Sequence, residues 1–277
     1  MKITNLLAWG ICCVYICVCP AVKAHTIMDT ISNKQRVLSF YKLIVGQRKA
    51  ELIPEFVRED YIQHNRTAKQ GRAGITAMIN YLKTLPPPSV EAKSPIVRAI
   101  QEGDFVVTHL DIQFMGKRMA VIDFFKLKDG MLAEHWDAIQ EMPDQTGLAV
   151  TSTNGNSEID KHASAENSKY IVEEFYKAVI SKQTPVLISQ FIKPDYIEHD
   201  PEIIGSGKSL VNYLCDDIGR EIKLHRLIGE GDYVAAQSKF KSGGKLFALY
   251  EIFRAEDNKI AERWSVKQPV PEGDNVF

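Results

Sequence analysis

An α+β architecture built twice in one chain is what this sequence predicts, and three observations predict it. Ile31 to Val45 carries Val37, Phe40, Tyr41 and Ile44 at helical spacing, so helices come first. Four runs near 90–101, 104–114, 117–127 and 131–140 then alternate apolar and polar with period two, joined by glycine-containing turns. The same order recurs in the second half of the chain. Helices followed by a meander imply helices packed on one face of a curved antiparallel sheet.

The elements can be justified in order. A short second helix around Glu51 to Phe56 leads into a strand containing Tyr61-Ile-Gln-His-Asn65, and a further helix is predicted over about 72–82, after Gly71. Pro86-Pro-Pro88 ends that helix, because proline offers no N–H and restricts the residue before it. The run Met119–Leu127 pairs with Met131–Ile139 through Lys128-Asp129-Gly130, since Asp-Gly between alternating runs is a hairpin signal. In the last run, alternation puts Met131, Ala133, His135, Asp137 and Ile139 on one face and Trp136 on the other. A His and an Asp two apart among apolar neighbours are costly to bury, and proteins accept that cost where the pair is hydrogen-bonded or does chemistry.

The repeat is specific. Tyr61-Ile-Gln-His-Asn65 returns as Tyr196-Ile-Glu-His-Asp200. Glu102-Gly-Asp104 returns as Glu230-Gly-Asp232, an offset of 128 residues that also carries Phe125 onto Phe253 and Trp136 onto Trp264. A unit this long is a duplicated domain and not a solenoid repeat. The first copy spans 29–145 and the second 167–271, with helices near 167–181 and 207–215 and strands near 221–229, 232–241, 245–254 and 259–267. Between them, 146–166 is rich in Ser, Thr, Asn and Gly without apolar period, and reads as a linker.

Residues 1–24 stand apart. Lys2, an apolar run from Leu6 to Val18, Pro20 and the small-residue site Val22-Lys23-Ala24 form a secretory-signal pattern with cleavage after Ala24. The alternative is an uncleaved membrane anchor. Export to a periplasmic or extracellular location is therefore expected. Four of the five cysteines leave with this segment, and Cys215 alone cannot form an internal disulfide. Without Lys2 and Lys23, 32 basic residues face 35 acidic ones, so no basic field is available to hold nucleic acid. No second long apolar run follows, and no membrane association is expected after cleavage.

The order Tyr-Ile-x-His, helix, four-strand meander and closing Glu134-His-Trp-Asp-Ala-Ile-Gln140 resembles the SnoaL-like polyketide cyclase family, within the cone-shaped nuclear transport factor 2-like superfamily. Tyr61, His64, Asp123, Phe125, His135, Trp136, Asp137 and Gln140 carry the resemblance. It implies two tandem cones, a pocket between helices and concave sheet, and, in members with a defined reaction, an Asp acting as acid/base in an intramolecular aldol closure without a metal. Asp137 falls on that position. The fold also hosts carriers and scaffolds, so activity has to be argued from the site.

Asp137, His135, His109 and Asp123 are the candidate catalytic residues, with His64, Tyr61 and Phe125 as substrate-binding candidates. Burial would raise the Asp137 pKa and a protonated His135 or His109 would lower it, and such opposed pulls poise a carboxylate for proton transfer. The plain alternative is a carboxylate tied to backbone amides. His135 either orients Asp137 or sits part-exposed at the cone mouth. His109 and Asp111 share a face of one strand and either join the pocket or lie outside it. Asp123 is expected to pair with His64 or His109, or to cap local backbone. Trp136 and Trp264 belong to packing. No local spacing supports a metal site, and no phosphate loop or dinucleotide fingerprint indicates a cofactor.

At the offset of 128, the second copy replaces His109 by Gln237, Asp123 by Glu251, His135 by Arg263 and Asp137 by Ser265. Ser265 has no base near it in sequence, so the second copy is expected to have lost the chemistry. Two readings follow: an exported enzyme doing aldol, isomerase or cyclase chemistry on a small apolar carbonyl compound, or a binding protein that sequesters a lipophilic ligand or forms an interaction platform. The two copies are expected to pack as an intramolecular pseudo-dimer.

Overall fold

Ser32 opens the first helix by a reciprocal cap: its hydroxyl accepts from Gln35 N–H at 3.2 Å, and the Gln35 side chain accepts from Ser32 N–H at 3.2 Å. This helix, α1 (Asn33–Phe40), buries Val37 and Phe40 and runs on as one π-helical stretch, Tyr41–Gly46. The computed structural model describes residues 31–65, 68–86, 94–144, 147–182, 184–217, 219–271 and 277. The signal-sequence reading falls on 1–24, outside the described residues. Part of the Pro86–Pro88 stop also lies outside them.

After α1 come α2 (Ile53–Phe56), β1 (Val57–Gln63), α3 (Gly71–Thr84), β2 (Ile96–Glu102), β3 (Phe105–Phe114), β4 (Lys117–Lys128) and β5 (Met131–Glu141). The second half repeats this as α4 (Ala165–Ile180), α5 (Pro185–Ser189), β6 (Ile192–Glu198), α6 (Pro201–Ser206), α7 (Leu210–Asp216), β7 (Glu221–Glu230), β8 (Tyr233–Ser242), β9 (Lys245–Glu256) and β10 (Lys259–Pro269). Each half builds a five-stranded sheet, ordered β1-β5-β4-β3-β2 and β6-β10-β9-β8-β7. The fold is α+β as expected, but the sheets are mixed: β1 pairs parallel to β5, and β6 parallel to β10. Alternation reveals which residues share a face and not which way a neighbour runs. The β4–β5 turn uses left-handed Asp129 and Gly130, and Asp257 and Asn258 serve in the other half.

One face of each sheet packs under its own helices. Val37, Phe40, Ile44, Tyr61, Ile79 and Phe125 belong to the helix-side core of the first half, and Val172, Phe175, Val234 and Phe253 to that of the second. The opposite faces meet each other. Ile122, Phe124, Trp136 and Ala138 share one core with Ala235, Tyr250, Ile252, Trp264 and Val266. Residues Ile31–Phe277 accordingly form one compact unit. Contacts across the sheets occur in exchanged pairs. Lys34 bonds Glu230 at 2.7 Å while Lys169 bonds Glu102. Gln140 accepts from Lys267 N–H at 2.8 Å while Gln268 accepts from Ile139 N–H at 2.9 Å. Such reciprocity is the mark of a two-fold relation, here within one chain.

Residues 151–160 are not a free tether. Ser152 and Thr153 are buried, and the segment lies as a strap against the second half: Thr151 O meets His199 Nδ1 at 2.7 Å, Asn154 O accepts from Trp264 Nε1 at 2.7 Å and Asn156 O from Tyr233 at 2.7 Å. Small polar residues here serve a segment whose backbone carbonyls do the bonding.

Candidate functional site

The site lies on the helix side of the first sheet. The register between β4 and β5 skips near Ala133, with Lys126 opposite Glu134 and Leu127 opposite Leu132. An extra residue of this kind inverts the alternation. Leu132 therefore packs in the helix-side core, while beyond the bulge that face belongs to His135, Asp137 and Ile139. Met131 and Ala133 do not share it, contrary to simple alternation. Asp123 stands directly opposite Asp137, Phe125 opposite His135, and Thr108 opposite Asp123.

Asp123 is enclosed by donors. Its Oδ2 accepts from the Tyr41 hydroxyl and from Thr108 Oγ1 at 3.3 Å, and its Oδ1 is 3.2 Å from His135 Nε2. Tyr41 reaches it from the π-helical stretch, a local widening that re-aims a side chain and recurs at functional sites. Asn65 N–H donates to Gln63 Oε1 at 3.0 Å, which turns the Gln63 amide nitrogen toward His135 Nδ1 at 2.9 Å. The neutral imidazole with its proton on Nε2, donating to Asp123, fits these partners. Phe125 stacks on the ring at 4.5 Å. Asp137 Oδ2 accepts from Asn65 Nδ2 at 2.7 Å, and its Oδ1 lies 3.7 Å from His135 Nδ1. Side-chain exposure is 6% for Asp123, 13% for His135 and 18% for Asp137, so Asp137 is the member an incoming molecule reaches most readily.

Burial raises the Asp137 pKa above the ordinary aspartate value; His135 and the Asn65 hydrogen bond pull it down, and Asp123 pushes it further up. For His135, burial favours the neutral ring, but Asp123 and Asp137 outweigh it and the pKa is raised. Burial and the adjacent Asp123 hold the Tyr41 phenol well above its usual range, so it remains a donor.

Two sequence candidates lie elsewhere. His109 is buried on the opposite face of β3, against the second half, with Nδ1 3.1 Å from Arg98 and its pKa held well below normal by burial and by Arg98. It does not join Asp137, and Asp111 on the same face bonds Arg118 and Thr153. His64 also faces away: it stacks on Trp136 at 4.2 Å and bonds Glu134 at 3.0 Å. The partner of Asp123 is therefore His135 and neither His64 nor His109. Tyr61 is on the helix side, buried in the core beside Phe125. The residues sequence reasoning missed are Tyr41, Gln63, Asn65 and Thr108. Alternation in Tyr61-Ile-Gln-His-Asn65 pointed to Gln63 and Asn65, since residues 61, 63 and 65 share a side.

The corresponding place in the second half holds a buried ion cluster. Arg263 bonds Glu251 at 2.6 Å and Glu198 at 3.0 Å, with Asp200 at 3.8 Å; Tyr176 donates to Glu251. Ser265 donates to Asp200 at 2.5 Å, correcting the expectation that no carboxylate stands near it. The acid has left the last strand for the residue that caps α6: Asp137 with Asn65 becomes Ser265 with Asp200. Asp200 is also occupied as a helix cap, accepting from Glu202 N–H at 2.8 Å. The cavity bordered by Phe175, Leu210, Leu249, Glu251 and Arg263 is about 30 Å³, room for a water or two. Among the described residues no group of three or more His, Cys, Asp or Glu is placed to hold a metal ion.

Residues 37–135 match the family model of the SnoaL-like domain, a little over a third of the chain and confined to its first half. Several solved structures are similar to parts of this chain. An LEH-like epoxide hydrolase of M. tuberculosis is 17% identical, with 38% of this chain and 84% of that one covered at a TM-score of 0.32. IdmH of Streptomyces antibioticus is 19% identical over 39% and 92%, TM-score 0.33. An NTF2-like protein of Cytophaga hutchinsonii is 13% identical over 41% and 95%, TM-score 0.31. No curated protein matches the chain in sequence.

Proposed function

We propose that the first half performs acid/base chemistry on a small apolar carbonyl compound, with Asp137 taking and returning the proton. The observation that carries this reading is the asymmetry around Asp137. Asn65 holds Oδ2, the side chain stays 18% exposed, burial raises the pKa, and His135 Nδ1 stands 3.7 Å from Oδ1. A carboxylate in that setting has the driving force to accept a proton from carbon next to a carbonyl. Asp137 Oδ1 would remove that proton, leaving an enolate and a neutral acid. Returning the proton to another carbon isomerises the substrate. Attack of the enolate on a second carbonyl closes a ring, and the proton passes to the new alkoxide. Either route regenerates the carboxylate. Asp123, Tyr41 and Thr108 fix the His135 ring, and Phe125 and Tyr61 supply apolar wall.

The second half is read as a non-catalytic partner in an intramolecular pseudo-dimer. Its acids are committed to Arg263, Ser265 and a helix cap. Export by cleavage after Ala24 is part of the same reading, and an intact mass beginning at another residue would count against it.

Exchange in heavy water tests the chemistry without a known substrate. The protein is incubated in D2O with a panel of small apolar ketones and diketones, and deuterium next to the carbonyl is read by mass spectrometry. Protein-dependent uptake is the expected result. Binding of panel members with no uptake in any would favour sequestration instead.

A further inference from the structure

Beside its buried ion cluster, the second half carries a larger opening that the cluster does not use. The end of α4, α5, α7 and the start of β7 border a cavity of about 490 Å³, against about 30 Å³ in the interior beside Arg263. Its wall is apolar. Val179, Ile188, Leu214, Cys215 and Ile222 line it, and all but Ile188 are only partly buried against the helix-side core. Ile180 on α4 and Val186 and Leu187 on α5 are 45%, 70% and 42% exposed, so the same helices also carry apolar surface that the chain itself leaves uncovered.

The charged groups around the cavity are already engaged or lie in water. The Arg220 guanidinium lies 5.1 Å from the Tyr213 ring and 5.4 Å from that of Phe240, donates from Nη2 to Tyr213 O at 3.1 Å, and has Nε 3.7 Å from Asp217. Its Nε and Nη1 are buried, so Arg220 gives the cavity a wall and no open edge to grip an anion. Asp217 also accepts from the Ser242 hydroxyl, and Glu221 stands 3.5 Å from Lys241. Lys182 is exposed, where water screens its charge. An ionised group entering here would give up its hydration without gaining a partner to replace it.

We propose that this cavity is a binding site for a small, neutral, apolar alcohol or ketone, separate from the acid/base site of the first half. Its volume falls within the range of about 300–1,000 Å³ typical of small-molecule sites. It equals the liquid volume of about sixteen waters, which suits a molecule of roughly that many non-hydrogen atoms. The apolar body of such a ligand gains by leaving water for Val179, Leu214 and Ile222. Thr184 also lines the cavity and makes no cap bond to α5, and its hydroxyl can meet a single alcohol or carbonyl oxygen. The second half then binds a ligand without carrying out a reaction, and this holds whether or not Asp137 moves a proton.

Two measurements on the full chain test this. In the first, the neutral dye N-phenylnaphthylamine, which brightens in apolar surroundings, is bound and then displaced by decanol or by decanoate at pH 8. Saturable dye binding is expected, with decanol displacing the dye at about tenfold lower concentration than decanoate. Cys215→Phe, which fills the cavity, is expected to weaken dye binding about tenfold. In the second, labelling of Cys215 by N-ethylmaleimide is followed by peptide mapping, which reads this one thiol because it lines the cavity. Decanol at ten times its half-displacing concentration is expected to slow labelling about tenfold. Labelling at the same rate with and without decanol would overturn the proposal, whatever the fate of the variant. So would the lack of saturable dye binding, undiminished binding by a folded Cys215→Phe protein, or displacement by decanoate as readily as by decanol.

Discussion

Arg263 offers the most quantitative test of how the second half is held together. Its guanidinium is buried among Glu198, Glu251 and Asp200, with bonds of 3.0 and 2.6 Å to the first two and 3.8 Å to the third. Replacing it by Met fills much the same volume but strands three carboxylates in a region their charge cannot leave. Breaking a buried ion pair by removing one partner costs about 3–5 kcal/mol. That is a large share of a total stability of about 5–15 kcal/mol. For a unit of this size the midpoint of thermal unfolding would fall by roughly 6–20 °C. The loss carries a pH signature. Burial already raises the Glu198 pKa against the pull of Arg263, and without Arg263 the rise is larger. The folded variant then binds more protons than the unfolded chain, so its stability falls as pH rises and recovers on acidification. Urea unfolding of both proteins at pH 7 and pH 5, read by tryptophan fluorescence, gives the two differences. A deficit below about 1 kcal/mol at pH 7, or one that does not narrow at pH 5, would show that the cluster is not what holds this interior.

Three further outcomes follow from the first half and the strap. Because the folded-state pKa of Asp137 is raised, wild-type stability declines as pH climbs above about 4. His135, also raised, loses its stabilising proton in the same direction higher up. Urea unfolding should therefore find Asp137→Asn at least as stable as wild type at pH 7, with the difference shrinking toward pH 4. His109→Gln should leave any turnover within about twofold, since His109 lies on the opposite face of the sheet; a loss of about 100-fold or more would return it to the mechanism. Arg98→Ala removes three donors to strap carbonyls, and limited proteolysis should then cut within 151–157 at least tenfold faster.

Local patterns carried the fold a long way. The Asp129-Gly130 turn, the alternation of β3 and β4 and the 128-residue offset each correspond to a feature of the structure, because turn chemistry and two-fold periodicity act over a few residues. The bulge near Ala133 left no trace in alternation, and it exchanged the faces of Met131 and Leu132. The parallel pairing of β1 depends on the path through α3 and not on β1 itself. At the site, Asp137, His135, Asp123 and Phe125 were legible as polar or aromatic residues on one side of two paired strands. His64 drew attention by its chemistry, whereas alternation from Tyr61 favoured Gln63 and Asn65. Tyr41 fits a helix's apolar stripe, and only the π-helical stretch shows that its hydroxyl meets Asp123. The passage of the carboxylate from Asp137 to Asp200 was written in the repeat, as Asn65 against Asp200. Its meaning appears only when β6 lies beside β10 and Ser265 meets Asp200.

The central claim is that Asp137 moves a proton, and one substitution separates that from mere binding. Asn at 137 retains the shape and the apolar surroundings but cannot accept a proton. With a ketone that takes up deuterium in D2O in the presence of wild type, the Asp137→Asn protein should exchange about 10²–10⁴-fold more slowly. Its affinity for the same ketone, measured by calorimetry, should change by less than about fivefold, because an isosteric amide leaves uniform binding intact. Exchange at the wild-type rate in a folded Asp137→Asn protein would contradict the claim and leave the first half without its acid/base group.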